Sequence, residues 1–365
     1  MKTLPTTTLL ACSLVSAIGC GNSMSGSTND NTPDGSTTST ADATPFTKGV
    51  STLAGSSETG NADGDRVDAR FSNPVNVVRG SDGTIYVADF DNGLIRTIDS
   101  SGNVATLIKQ PGFARPFGMT FAPDGTLYVE TDKDPNGNLS DTAGTIWRVN
   151  VAAKTATVVK TGLGRPRGLV VLPNGQLAMS DYMHHVIQTL DVGSGAVATI
   201  AGTWDAMAFT DAVGPAARFS SPYAMALRGD GMLLVTDFGN NRVRIVDPTT
   251  GTTTTFAGAG TAGFADGAVT TAQFNEPQGI SLDAAGDVFI TDMLNFRIRR
   301  IVGTTVDTIA GNGTGGWLDS DNRTAAELFG LEGLVVSPDG QTVTVADGNR
   351  GNDVPYNRVR EITMQ

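Results

Sequence analysis

One pattern recurs six times along the chain and restricts its fold more than any other feature. A proline or leucine is followed two residues on by a small residue. A short apolar run comes next, then a turn centred on Asp-Gly or a variant. A second run ends in Asp, a third follows, and a Thr-rich fourth often closes on Ala-Gly. The anchor positions are Pro74, Pro116, Pro166, Pro222, Pro277 and Leu331. Repeats of roughly 40–55 residues built only of strands indicate a β-propeller rather than a helical solenoid.

The last repeat stops short. It supplies three strands, near 331–337, 341–346 and 357–362, before the chain ends at Gln365. The missing fourth strand reads at the other end, where residues 50–55 (Val-Ser-Thr-Leu-Ala-Gly) copy the fourth-strand motif of residues 198–202 and 307–311. Pairing of 50–55 with the sixth blade would close the ring and remove an open edge. The expected fold is therefore all-β: a six-bladed propeller over 49–365, closed by the N-terminal strand 50–55.

What precedes the propeller reads as targeting and tether. Lys2 is followed by an apolar stretch over 9–18, too short to span a bilayer and suited to a signal peptide. Ala17-Ile18-Gly19-Cys20 resembles a bacterial lipobox, which implies a signal peptide over 1–19 and lipidation at Cys20. Residues 20–48 are polar and low in complexity, as expected of a disordered tether. The expected location is the cell envelope, lipid-anchored rather than spanning. Cys12 lies in the leader, so no cysteine remains in the propeller to form a disulfide.

The formal net charge of −12 disfavours a phosphate backbone as partner, so nucleic acid is not expected. The chain carries no Gly-x-Ser-x-Gly elbow, P-loop or zincin motif.

Within the repeats, Asp237-Phe238-Gly239-Asn240-Asn241-Arg242-Val243-Arg244 gives an Asp, an Asn three residues on and arginines beyond it. Asp89 to Arg96 and Asp292 to Arg299 repeat this, and Asp347 with Asn357-Arg358-Val359-Arg360 does so around an insertion. These segments resemble NHL repeats, and the resemblance covers essentially all of 50–365. It implies a six-bladed propeller and, for many such proteins, a binding role. A residue present in every blade reads as a turn-former, since a catalytic residue is needed only once. The small residue after each proline reads as a response to crowding at the axis, with Asn76 the exception.

Function is then expected where blades depart from the pattern. Connections at 56–70, 203–217, 259–272 and 312–326 are long, whereas those into blades 2 and 3 are short. A rim high on one side and low on the other predicts a cleft. Blade 2 adds a loop on the low side in which Asp132, Asp134 and Asn136 precede Gly137, the start of a calcium-loop pattern. The usual Glu is absent, and Asp141 is its candidate substitute. Blade 3 carries His184 and His185, candidates for metal or acid–base work, or plain turn residues. Trp204 and Trp317 near the rim are candidates for stacking on a sugar or peptide. Glu130 and Glu332, with Asn76, depart from their repeat positions near the axis.

Two functions follow. The first is a non-catalytic envelope scaffold, expected as a monomer, presenting a propeller face to a protein, peptide or glycan. The alternative is a divalent-metal-dependent propeller enzyme of lactonase or lyase type.

Overall fold

The structure is a computed structural model that describes residues 48–352, 354 and 356–364. Cys20, the leader and the tether up to residue 47 lie outside the described residues.

Six antiparallel sheets succeed one another along the chain. Each has four main strands, a to d, with a innermost. In blade 1 these are Pro74–Arg79, Ile85–Asp89, Leu94–Ile98 and Val104–Ile108. Strand b is buried throughout in all blades but the sixth, where only its first residue is half-exposed. That burial on both faces accounts for runs such as Ile85-Tyr86-Val87 and Leu233-Leu234-Val235, which do not alternate with polar residues. The apolar clusters lie between neighbouring blades: Val87 packs with Ala346 and Val359 of blade 6, and Phe289 with Leu334 and Val345.

Ring closure is as the repeat predicts. Gly49–Ser56 pairs antiparallel with Asn357–Thr363, placing Val50 opposite Ile362 and Thr52 opposite Arg360. Sheet order in the sixth blade thus begins with the first strand of the domain.

The crowding at the axis is lateral. A Cβ on Gly168 would lie 2.6 Å from Ser180 Oγ and 2.7 Å from the Tyr223 carbonyl of blade 4. In blades 3, 4 and 5 a hydroxyl on strand b fastens the blade to the next strand a. Ser180 donates to the Tyr223 carbonyl, Thr236 to Gln278 (2.5 Å) and Thr291 to Glu332 (2.7 Å). Blade 1 has Ala88 at the hydroxyl position and Asn76 in place of the small residue. The Asn76 amide donates to the Phe117 carbonyl, at 3.0 Å.

The recurring Asp and Arg of the repeat form a clamp. Arg96, Arg244, Arg299 and Arg360 are fully buried, and each sits between two carboxylates. One is the Asp ending strand b, at 3.0 Å for Asp89, 2.7 Å for Asp237, 2.6 Å for Asp292 and 3.0 Å for Asp347. The other comes from the long connection that precedes the blade: Asp63, Asp211, Asp266 and Asp319, at 2.5–2.6 Å. The loop Asp also binds a threonine on strand d, as in Thr255 N–H to Asp211 Oδ2 at 3.0 Å. Blades 2 and 3 lack the long connection and the arginine together. Trp147 takes the place of the arginine in blade 2 and donates through Nε1 to Thr131 Oγ1 at 2.8 Å, a neutral replacement for the ion pair. Gln188 takes its place in blade 3.

Candidate functional site

The residue after each anchor proline, and after Leu331, brings one side chain per blade to the upper end of the axis: Val75, Phe117, Arg167, Tyr223, Gln278 and Glu332. All are buried. The b–c turns add Phe90, Tyr182 and Phe238 above them. Phe117 meets Tyr223 edge-on at 5.5 Å, Tyr182 meets Tyr223 at 5.4 Å, and Phe238 stacks on Tyr223 at 5.7 Å. Phe90 joins through Phe117 at 6.0 Å. Tyr182 and Phe238 are half-buried, so this aromatic floor meets solvent through them.

Arg167 is the cation of this centre. It bonds Asp132 through both terminal nitrogens, at 2.6 and 3.1 Å, and lies 4.0 Å over the Phe117 ring. Glu130 lies 3.8 Å from the same guanidinium. Burial alone would lower the Arg167 pKa, but the Asp132 and Glu130 carboxylates outweigh it and hold the group above the ordinary arginine value. Glu130 is fully buried, and neither of its oxygens is within hydrogen-bond distance of a donor among the described residues. Burial, reinforced by the Asp132 charge, pushes its carboxyl well above the ordinary range. Glu332 accepts from the Tyr223 hydroxyl at 3.1 Å, and burial pushes it up to about 7. Tyr223 is itself raised, chiefly by burial and then by Glu332.

Glu130 and Glu332 are thus brought to one centre, joined by Arg167 and Tyr223, which the sequence reading missed. The signal was there: Arg167 and Tyr223 occupy the position that is Val75, Phe117 or Gln278 in other blades.

The other candidates disperse. The calcium candidates of 132–141 do not converge on one point in this structure. Asp132 turns inward to Arg167, while Asp134 closes its own turn by accepting from the Asn136 and Asn138 amides at 2.9 and 2.8 Å. Asn136 and Asp141 are exposed. Among the described residues no group of three or more His, Cys, Asp or Glu could hold a metal ion.

His184 stands where Asn92, Asn240 and Asn295 stand in other blades, and like them it bonds the strand-b Asp, Nδ1 to Asp181 Oδ2 at 2.9 Å. Trp204 stacks on it at 3.8 Å. His185 holds φ 61°, matching Asn241 at 52°, and its Nδ1 accepts from the Ser221 amide much as Asn241 Oδ1 accepts from Glu276. Both histidines are turn residues. Trp317 packs 4.7 Å over Arg358, as Phe209 and Phe264 pack 3.9 Å over Arg242 and Arg297. Each of these rings sits two residues before a clamp Asp.

No protein-family model matches the chain. NHL repeat-containing protein 2 of Homo sapiens is 25% identical over 293 residues, 66% of this chain and 40% of that protein. The chain spans well under half the length of the curated relatives it matches. Among solved structures, an auxiliary nutrient binding protein from Bacteroides thetaiotaomicron superposes with a TM-score of 0.67 at 19% identity, covering 86% of this chain and 75% of that one. A streptogramin B lyase superposes with a TM-score of 0.53 at 14% identity, covering 83% and 97%. At these identities the structural likenesses show the fold alone. The relatives and the six-bladed architecture support the NHL propeller family.

Proposed function

We propose that the protein is a non-catalytic binding scaffold of the cell envelope, held by lipid at Cys20, which presents the b–c and d–a face of the propeller to a protein, peptide or glycan. The observation that carries this is the position of Arg167. A metal-dependent lactonase or lyase would need a cation at the axis with unlike donors converging on it. In this chain a guanidinium takes the cation's place among Asp132 and Glu130. The donor set does not fit a divalent ion, and no metal-dependent step is assigned to it. The aromatic floor around Tyr182, Tyr223 and Phe238 offers flat, amphipathic surface of the kind that anchors ligands.

The test is binding of the protein to peptide and glycan arrays, repeated with Tyr182→Ala and Phe238→Ala. Ligands found with the parent protein should weaken about tenfold in each variant, roughly 1.4 kcal/mol per anchor ring. Ligands that bind both variants unchanged would move the site elsewhere. Turnover of a lactone that depends on added divalent cation would overturn the scaffold reading. A Cys20→Ser variant should leave the membrane fraction.

A further inference from the structure

The outer edge of each blade offers one register position at which a main-chain partner is expected. In blade 1, Val104 exchanges two backbone bonds with Gly64, at 2.7 and 3.0 Å. In blade 6, Val50 does so with Ser320, at 2.7 and 2.9 Å. In blades 4 and 5, Thr253 pairs with Ala212 and Val306 with Gly267. In all four the partner belongs to the long connection carrying the clamp Asp. In blade 2 the side-chain amide of Gln110 stands in, making both bonds to Ala156 at 2.9 Å. In blade 3 the equivalent residue is Val197, opposite Leu190. It is exposed, and no partner lies on its outer side among the described residues.

Two residues further along strand d is the threonine that receives the clamp Asp. Thr106, Thr52, Thr255 and Thr308 receive Asp63, Asp319, Asp211 and Asp266. Each lies opposite the clamp arginine. Blade 3 keeps this threonine: Thr199 lies opposite Gln188, exposed, with no carboxylate on it. Blade 2 has Val158 at the position and has lost the feature. Blade 3 therefore retains a receptor for an Asp-bearing extended segment that its own chain does not supply. Beside Val197 lies a groove of about 430 Å³, lined also by Lys160, Leu163, Gln188 and Trp204.

We propose that this edge binds an acidic, extended segment of a partner protein, added as an outer strand of blade 3 in place of the missing connection. Open strand edges take such segments through main-chain bonds, with side-chain pockets giving specificity. An Asp of the partner would accept from the Thr199 amide and hydroxyl, as Asp211 does from Thr255. Charge agrees. Lys160 lines the groove, and it is one of four lysines (with Lys109, Lys133 and Lys154) that the sequence of blade 2 and its entry carries in a chain of net charge −12. A second copy of so acidic a chain is the poorer fit. This site is separate from the axial face and does not depend on the role proposed for it.

The test titrates the whole protein with a peptide of its own connection, residues 207–216, followed by the amide resonances of Val197 and Thr199. Saturable shifts at both are expected. A peptide with Asp211 replaced by Asn should bind at least about tenfold more weakly, and Thr199→Val should weaken the parent peptide similarly. Val197→Pro removes the edge amide and should abolish binding; Thr199→Val keeps the test decisive if that variant folds poorly. No binding at about 1 mM peptide would overturn the proposal. So would equal binding of the Asn peptide, or concentration-dependent dimerisation lost in Val197→Pro, which would make a second copy the occupant.

Discussion

Arg244 Nη2 lies 2.6 Å from Asp211 Oδ1, and this contact ties blade 4 to the connection that leads into it. The guanidinium is fully buried, and its other terminal nitrogen holds Asp237 at 2.7 Å. Loss of the arginine strands a buried carboxylate, whereas loss of the half-exposed loop Asp does not. Arg244→Met should therefore cost about 3–5 kcal/mol in chemical denaturation. Asp211→Ala should cost about 1 kcal/mol. Equal costs would mean that the clamp does not act through burial.

Blade 2 replaces this charge pair by a neutral bond from Trp147 to Thr131. Thr131→Val removes the acceptor and keeps the shape, leaving a buried indole N–H unpaired. A loss of about 1–3 kcal/mol is expected on denaturation, without loss of the fold by circular dichroism. An unchanged midpoint would show that the indole has another partner.

The axial carboxyl of Glu332 makes stability depend on pH. Its folded value of about 7 lies above the ordinary glutamate value of 4.5, because burial disfavours the anion. The folded state then holds the proton more tightly than the unfolded chain. The contribution is fully present below about pH 4.5 and is lost as pH rises through about 7. Glu332→Gln keeps an acceptor for Tyr223 and removes the charge. It should stabilise the protein by about 1–3 kcal/mol at pH 8 and change little at pH 4. A variant no more stable than the parent at pH 8 would place the proton elsewhere in the cluster.

Removal of Gly49–Ser56 deletes strand d of blade 6 and exposes the edge of Asn357–Thr363. Val50 and Ala54 leave the core with it. The truncated domain should melt well below the parent or fail to fold. An unchanged melting temperature would contradict ring closure by this strand.

The fold was legible because its signals are local and repeated. Pro74 to Asp89 reads as two strands wherever the pattern recurs, and the displaced copy at 50–55 reports the closure. The pairing of long connections with buried arginines was also readable, since blades 2 and 3 lack both. The axial centre was not. Asp132, Asp134 and Asn136 have calcium-loop spacing, but the partner of Asp132 is Arg167, on the innermost strand of the next blade. Spacing within a loop cannot show a cation supplied from another blade. For His184 the sequence left a turn role and metal or acid–base work both open, because its register position is filled with Asn in other blades.

The central claim is that four blades are closed at their outer edges by clamped connections and that blade 3 is left open for a partner. Amide hydrogen exchange at the equivalent positions tests it most directly. The account predicts slow exchange at Val50, Val104, Thr253 and Val306, which have main-chain partners, and exchange faster by orders of magnitude at Val197. Protection at Val197 equal to that of the other four would contradict it.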